Sequence, residues 1–258
     1  MAWVTKDSQE QYNTQPQPPR EYSKKEKAQN WWHYYKWVVV GGVVAVIALA
    51  WIIKDTVFQT RPDYQVAYVG QHELPADTAA ALSTALQAYG QDRNGDGQVV
   101  VALNQYTLDF NSQTDGTDAY GQMAGVTKLS ADLSGGKDGS YIFIVDDIEG
   151  FEAQTTALQY LDGTLPEIAT EDDAVPDLDW ENMVYRWSDC PVLAGLDLGD
   201  YQGYTMMDDA TGSSQELLAN LYVGRRGCWT GDIQAYADDA ALWDALTAGA
   251  VKLPEATR

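Results

Sequence analysis

Between Trp37 and Ile53 the chain reads WVVVGGVVAVIALAWII, 17 residues without a charge. No other feature limits the fold so strongly. As a helix at about 1.5 Å per residue the run covers roughly 25 Å, close to the lower limit for crossing a bilayer. Trp31, Trp32, Tyr34, Tyr35 and Trp37 crowd one end and Trp51 marks the other, the pattern of aromatic belts at two membrane interfaces. A buried helix of a soluble protein has no reason to carry belts at both ends. The sequence therefore predicts one transmembrane helix over 31–54, with residues 37–53 in the lipid bilayer.

Arg20, Lys24, Lys25, Lys27 and Lys36 precede the run, while Lys54 and Arg61 follow it. Basic residues stay on the cytoplasmic side. This gives a cell-membrane protein with its N-terminus in the cytoplasm and its C-terminal domain extracellular. Ala48-Leu49-Ala50 is an A-x-A pattern of the kind signal peptidase cuts. The long polar segment ahead of the run, and its continuation through Trp51-Ile52-Ile53, favour an uncleaved anchor. Residues 1–30 read as a disordered, basic cytoplasmic tail: 7–20 (DSQEQYNTQPQPPR) are polar, proline-containing and aperiodic. Residues 55–62 read as a linker, and 63–258 as the extracellular domain.

Charge then narrows the partners. Residues 55–258 hold nine Lys/Arg against 34 Asp/Glu, a net charge of −25. Such a surface repels phosphate backbones, so no nucleic-acid partner is expected. It suits cations, or simply solubility.

Inside the outer domain, strand and helix signals alternate. YQVAYV (64–69), VVVAL (99–103, running on into Asn104-Gln105-Tyr106) and YIFIV (141–145) read as strands apolar on both faces. Between them lie helix faces: Leu82, Ala85, Leu86 and Tyr89 after a cap at Asp77, and Met123, Val126, Leu129 and Leu133 before Gly135-Gly136. Phe151, Thr155, Leu158 and Leu161 mark a third. Met183–Trp187 is a further strand, Ser213-x-x-Glu216 a capping box, and Asp238 or Asp239 opens a last helix with Leu242, Trp243 and Leu246. The expected fold is α/β: a three-layer α/β/α domain with a mostly parallel sheet.

DRNGDG, residues 92–97, places oxygens where a calcium loop needs them. Asp92, Asn94, Asp96, Gly97 and the Gln98 carbonyl fill positions one, three, five, six and seven. Position twelve is Leu103, where an EF-hand requires a bidentate Glu. Two readings stand. Calcium is held at Asp92, Asn94, Asp96 and Gln98 with a carboxylate remote in sequence, or the segment is only a turn built from Asn-Gly and Asp-Gly. Cys190 and Cys228 are the two cysteines, and in an exported domain they read as one disulfide; two buried thiols are the alternative.

The order of a helix, DRNGDG, a strand, YGQMAGVTKLSADLSGG, SYIFIVDD, another helix and LDGTLPE resembles one lobe of an extracellular solute-binding protein. The relevant class is the type II periplasmic-binding-protein-like receptors of bacterial importers. The resemblance covers residues 60–167, about one lobe. It implies a ligand-binding role, and a calcium loop of the D-x-N-x-D-G kind found in some carbohydrate-binding members. The overall plan of basic tail, anchor and small acidic domain is similar to anchored proteins of gram-positive bacteria.

Material for enzyme chemistry is thin. Only His33 and His72 could serve a histidine-based site. Ser134-x-x-Lys137 and Ser188-Asp189-Cys190 echo serine-enzyme motifs, but the third element, K-T-G, is absent. A binding role is therefore expected, for an unknown small ligand or an envelope protein. Asp146 and Asp147 end a strand, where ligands of parallel sheets bind. Arg225 and Arg226 form a basic island suited to an anion, or to internal pairing. Trp180, Trp187, Trp229 and Trp243 are stacking platforms or core, with Trp229 beside the arginines.

Overall fold

The structure is a computed structural model that describes residues 21–57, 61–110, 119–167, 179–204, 209–229 and 231–254. The expected disorder over 7–20 lies outside these residues. Two compact units result, one ending at Gln59 and one beginning at Thr60.

The first unit is a single helix, α1 (Lys24–Val57). It starts seven residues before the expected boundary of 31 and runs into the expected linker. Its start is a capping box: Ser23 N–H donates to Glu26 Oε2 at 2.9 Å, and Glu26 N–H donates to Ser23 Oγ at 3.3 Å. The Lys24–Ile52 stretch is apolar and long enough to cross a membrane, and none of its apolar window is buried. This is compatible with a single-pass anchor or a signal sequence.

The second unit is mixed α/β. Its elements are β1 (Tyr64–Gly70), α2 (Ala76–Gln87), β2 (Val101–Thr107), α3 (Ala119–Ser134), β3 (Ile142–Val145) and α4 (Ile148–Thr155). They continue with β4 (Val184–Arg186), α5 (Pro191–Ala194), β5 (Asp200–Tyr204), β6 (Asp209–Ser213), α6 (Ser214–Leu218), β7 (Tyr222–Arg225) and α7 (Ala237–Leu246). Five strands form one sheet in the order β2-β1-β3-β7-β4, and β5-β6 form a separate hairpin.

The expected mostly parallel sheet is corrected here. β1 pairs in parallel with β2 and β3, but β7 pairs antiparallel with both β3 and β4, so the sheet is mixed. The physical reason lies in the late chain. β7 follows the one-turn α6 through a tight turn at Ala219–Leu221 and enters the sheet running backward. Its short YVGR sequence carries no alternation long enough to announce a strand.

Two apolar clusters pack on alternate residues of the sheet. Val66, Tyr68, Ile142, Ile144 and Val223 meet Leu82 and Leu86 of α2, Leu193 of α5, and Leu242, Trp243 and Leu246 of α7. Ala67, Val69, Phe143, Val145 and Val184 meet Leu129 of α3 and Ile148 and Phe151 of α4. Alternation along each strand produces this division.

Some helix details differ from expectation. Met123 and Val126 are exposed; α3 packs instead through Gly125, Leu129 and Leu133. At Gly125 a Cβ would lie 2.4 Å from the Thr107 carbonyl oxygen, so only glycine permits this approach. The third helix stops at Thr155 because Thr156 turns left-handed (φ 44°). Glu152 then folds over the end, its Oε1 accepting from Ala157 N–H (3.2 Å) and Leu158 N–H (3.1 Å). Asp77 lies inside α2 rather than capping it, and Ser213 makes no side-chain cap to α6.

Candidate functional site

Asp146 and Asp147 lie just beyond the carboxyl end of β3. Asp146 Oδ2 accepts from Gln71 N–H at 2.8 Å and Oδ1 from Asp147 N–H at 2.6 Å, so it ties the ends of β1 and β3 together. Burial raises its pKa, and the backbone N–H groups pull it partly back. Burial together with the Asp146 charge pushes the neighbouring Tyr68 hydroxyl up to about 12. Asp147 caps α4, accepting from Gly150 N–H at 3.0 Å.

Arg225 and Arg226 lie at the other end of the sheet. Val145 is opposite Tyr222 and Ile142 is opposite Arg225. At ~3.3 Å per residue, about 10 Å of strand separates the carboxylates from the arginines. They do not form one site. Arg226 is buried and donates to the carbonyls of Asp132 (3.3 Å), Gly136 (3.1 Å) and Leu133. A guanidinium on the last carbonyls of α3 is a helix C-cap supplied by the residue after β7. Arg225 donates to Leu161 O at 3.0 Å and lies 5.8 Å from the Trp243 ring centroid. Trp187 and Trp243 are core, whereas Trp229 is 40% exposed.

The DRNGDG loop closes on itself. Asp92 accepts from Gly95 N–H and Gly97 N–H, Asn94 from Asp96 N–H, and Asp96 from Gln98 N–H, all at 2.7–2.9 Å. Gly95 and Gly97 adopt positive φ, which the turn requires. Beneath it, buried Asp63 accepts from Arg93, Asn94 and Val100 N–H at 2.8, 3.1 and 2.8 Å. Arg93 in turn pairs with Asp239 at 3.0 Å. Asp92, Asn94, Asp96 and the Gln98 carbonyl supply half of a calcium shell by donor type. Among the described residues, no group of three or more His, Cys, Asp or Glu side chains could hold a metal.

The expected disulfide is not formed. Cys190 and Cys228 are free thiols, the first buried in the core and the second half-buried against it. Burial, with a contribution from the Asp189 charge, pushes the Cys190 thiol up to about 12, which disfavours the thiolate that disulfide chemistry requires.

Polar side chains that the sequence reading passed over converge elsewhere, beside β2 under α3. Asn104 Nδ2 donates to Gln65 Oε1 at 3.0 Å and Ser140 Oγ at 3.1 Å. Tyr106 OH donates to Asp132 Oδ2 at 2.6 Å, and Ser140 N–H donates to Asp132 Oδ1 at 2.6 Å. Burial and the Asp132 carboxylate both raise the Tyr106 pKa, so the phenol stays protonated and donates. Of these, Gln65, Asn104, Tyr106 and Asp132 line a hollow of about 520 Å³ with Leu103, Gln105 and Lys128 on its walls. A second hollow of about 290 Å³ shares Gln65, Asp138 and Gly139 with it and adds Arg61, Arg93 and Lys137. The sequence signal was Asn104-Gln105, a polar break in an otherwise apolar strand.

Within the larger hollow, Asn104 Oδ1 and Lys128 Nζ have no hydrogen-bond partner among the described residues. The walls thus offer an amide acceptor and an ammonium beside a fixed phenol–carboxylate pair. Such a surface can orient a polar ligand by hydrogen bonds. Comparison with family models, with curated proteins and with solved structures finds no match to this chain.

Proposed function

We propose that the outer domain is an extracellular ligand-binding module, held at the cell membrane by α1 with the N-terminus in the cytoplasm. In this reading the sheet is the middle of three layers, and the domain works like one lobe of a solute-binding protein. The observation that carries it is the hollow beside β2, where Gln65, Asn104, Tyr106 and Asp132 are pre-ordered by mutual hydrogen bonds. Pre-ordered polar groups on a concave wall lose little entropy when a ligand arrives. The role is binding rather than catalysis. Asp132 already holds two donors, and the Tyr106 phenol is kept protonated. Calcium belongs to the proposal as a weak ligand of Asp92, Asn94, Asp96 and the Gln98 carbonyl, in the ~10⁻⁴–10⁻³ M range of extracellular modules.

The test is a thermal-shift screen of the full chain with monosaccharides, amino acids and short peptides. At least one class should raise the unfolding midpoint saturably, and Asn104→Ala should abolish that shift. A screen in which no class shifts the midpoint overturns the reading in favour of an envelope interaction domain without a small-molecule site.

A further inference from the structure

The sheet register makes a statement about β2 that its side chains do not. Asp63 and Tyr64 N–H donate to Val100 O, and Leu108 N–H donates to Gly70 O. Successive residues of a strand point their N–H and C=O to opposite edges. Residues 100, 102, 104, 106 and 108 therefore face β1, while Val101, Leu103, Gln105 and Thr107 face outward. β2 is the edge of the sheet.

Both ends of this edge are covered. Ser83 Oγ donates to Val101 O, and α3 presses Gly125 against the Thr107 carbonyl. The middle is not. Among the described residues, the backbone N–H and C=O of Leu103 and Gln105 bond to nothing. The hollow described above runs along this window. Leu103, Asn104, Gln105 and Tyr106 form one wall, and Lys128, Ala131 and Gly135 of the α3 end form the other. Four consecutive strand residues in its lining show that the hollow reaches the β2 edge, and Gln65, Asp138 and Gly139 carry it on over the adjoining face. Uncovered edges are ordinarily protected. A groove between a strand edge and a helix is the geometry of β-strand addition.

We propose that this groove takes an extended, basic peptide segment, which adds to β2 as a sixth strand opposite Leu103 and Gln105. The inference rests on the ligand-binding reading above and names its ligand class. The basic character follows from charge. Residues 55–258 carry a net −25, which steers cations inward and opposes a second copy of the chain. Within the groove Asp132 and Asp138 outnumber the single Lys128, and the Asp138 carboxylate has no ion pair among the described residues.

The test uses the full chain in lipid nanodiscs. The probe is a capped octapeptide of alternating lysine and valine, read by residue-resolved hydrogen exchange. Saturating peptide should slow exchange at the Leu103 and Gln105 amides at least tenfold, with the Ala102 and Asn104 amides changing far less. A copy methylated at every backbone nitrogen should bind at least tenfold more weakly, and Ala131→Trp should weaken the parent peptide similarly. Equal binding of the methylated copy would reduce the effect to charge attraction and overturn strand addition; this arm needs no variant. Equal binding of a glutamate–valine octapeptide would overturn the basic character. Protection of both amides without peptide, in discs loaded with two chains, would make a second copy the occupant. If the octapeptide fails while a small polar ligand still gives an Asn104-dependent thermal shift, strand addition falls and the binding module stands.

Discussion

Two regions on either side of Val101 make opposite use of polar groups. Ahead of it, the DRNGDG loop is dense in carboxylates, yet these oxygens are turned onto the chain's own N–H groups. Along β2, charge is sparse, yet two residues leave their backbone groups open, among the described residues, beside a polar hollow. Charge density attracts the eye in a sequence, but unsatisfied hydrogen-bonding capacity is what a ligand can use. Asp63 shows the closed case most fully, since its one carboxylate satisfies three backbone donors.

The comparison can be broken first at Asp63. Asp63→Ala strands three N–H groups and should cost about 3 kcal/mol in urea unfolding. A cost below about 1 kcal/mol would mean that the loop is not held from beneath. Arg226 comes next. Arg226→Ala frees the carbonyls at the end of α3 and should cost about 2 kcal/mol, with Arg226→Lys recovering only part. If Arg226 instead gripped an anion, the loss would appear in ligand affinity with stability unchanged.

Glu152 gives a smaller, pH-dependent effect. Its burial raises the carboxyl from 4.5 to about 7, and Oε2 is buried without a hydrogen-bond partner among the described residues. The folded state therefore holds the proton more tightly than the unfolded one between those values. The Glu152 contribution to stability is fully present below about pH 4.5 and is lost as pH rises through about 7, by about 1–2 kcal/mol. Comparing unfolding of the wild type and Glu152→Gln at pH 5 and pH 8 isolates the effect, because the amide should lack that decline. The smallest effect concerns calcium. At 5 mM with a Kd near 1 mM, linkage gives about 1 kcal/mol of stabilisation. Asp96→Ala should remove it, and a calorimetric titration of the wild type without heat would leave the loop as a turn.

Much of the first half of the second unit was legible in its residues. YQVAYV, VVVAL and YIFIV are long, apolar and bounded by turn residues, so their strands could be read directly. β7 could not, because four residues with an internal glycine carry no period, and its reversed direction follows from tertiary packing. The α3 face was misjudged for a related reason. Periodicity ranks Met123 above Gly125, but the helix approaches Thr107 through the residue without a side chain. Asp146 was legible as a polar group at a strand end, and Arg225 only as part of a basic island. That they end opposite margins of the sheet depends on strand direction, which the residues alone do not encode. Asn104 and Gln105 were visible as polar residues in a strand, but their meaning depends on β2 being an edge.

α1 is one unbroken helix. Its 34 residues amount to about 51 Å of continuous rod, twice the length of the uncharged run. No proline interrupts it, and its lower half carries Lys24, Lys25, Lys27 and Lys36 in the same helical register as the apolar half. A torque applied at the lysines would pass toward Trp51 as rotation, less the twist taken up between them. The one compliant point is Gly41-Gly42, where two residues lack the side chains that stiffen a helix. Replacing that pair with alanine would make the shaft torsionally stiffer without changing its length.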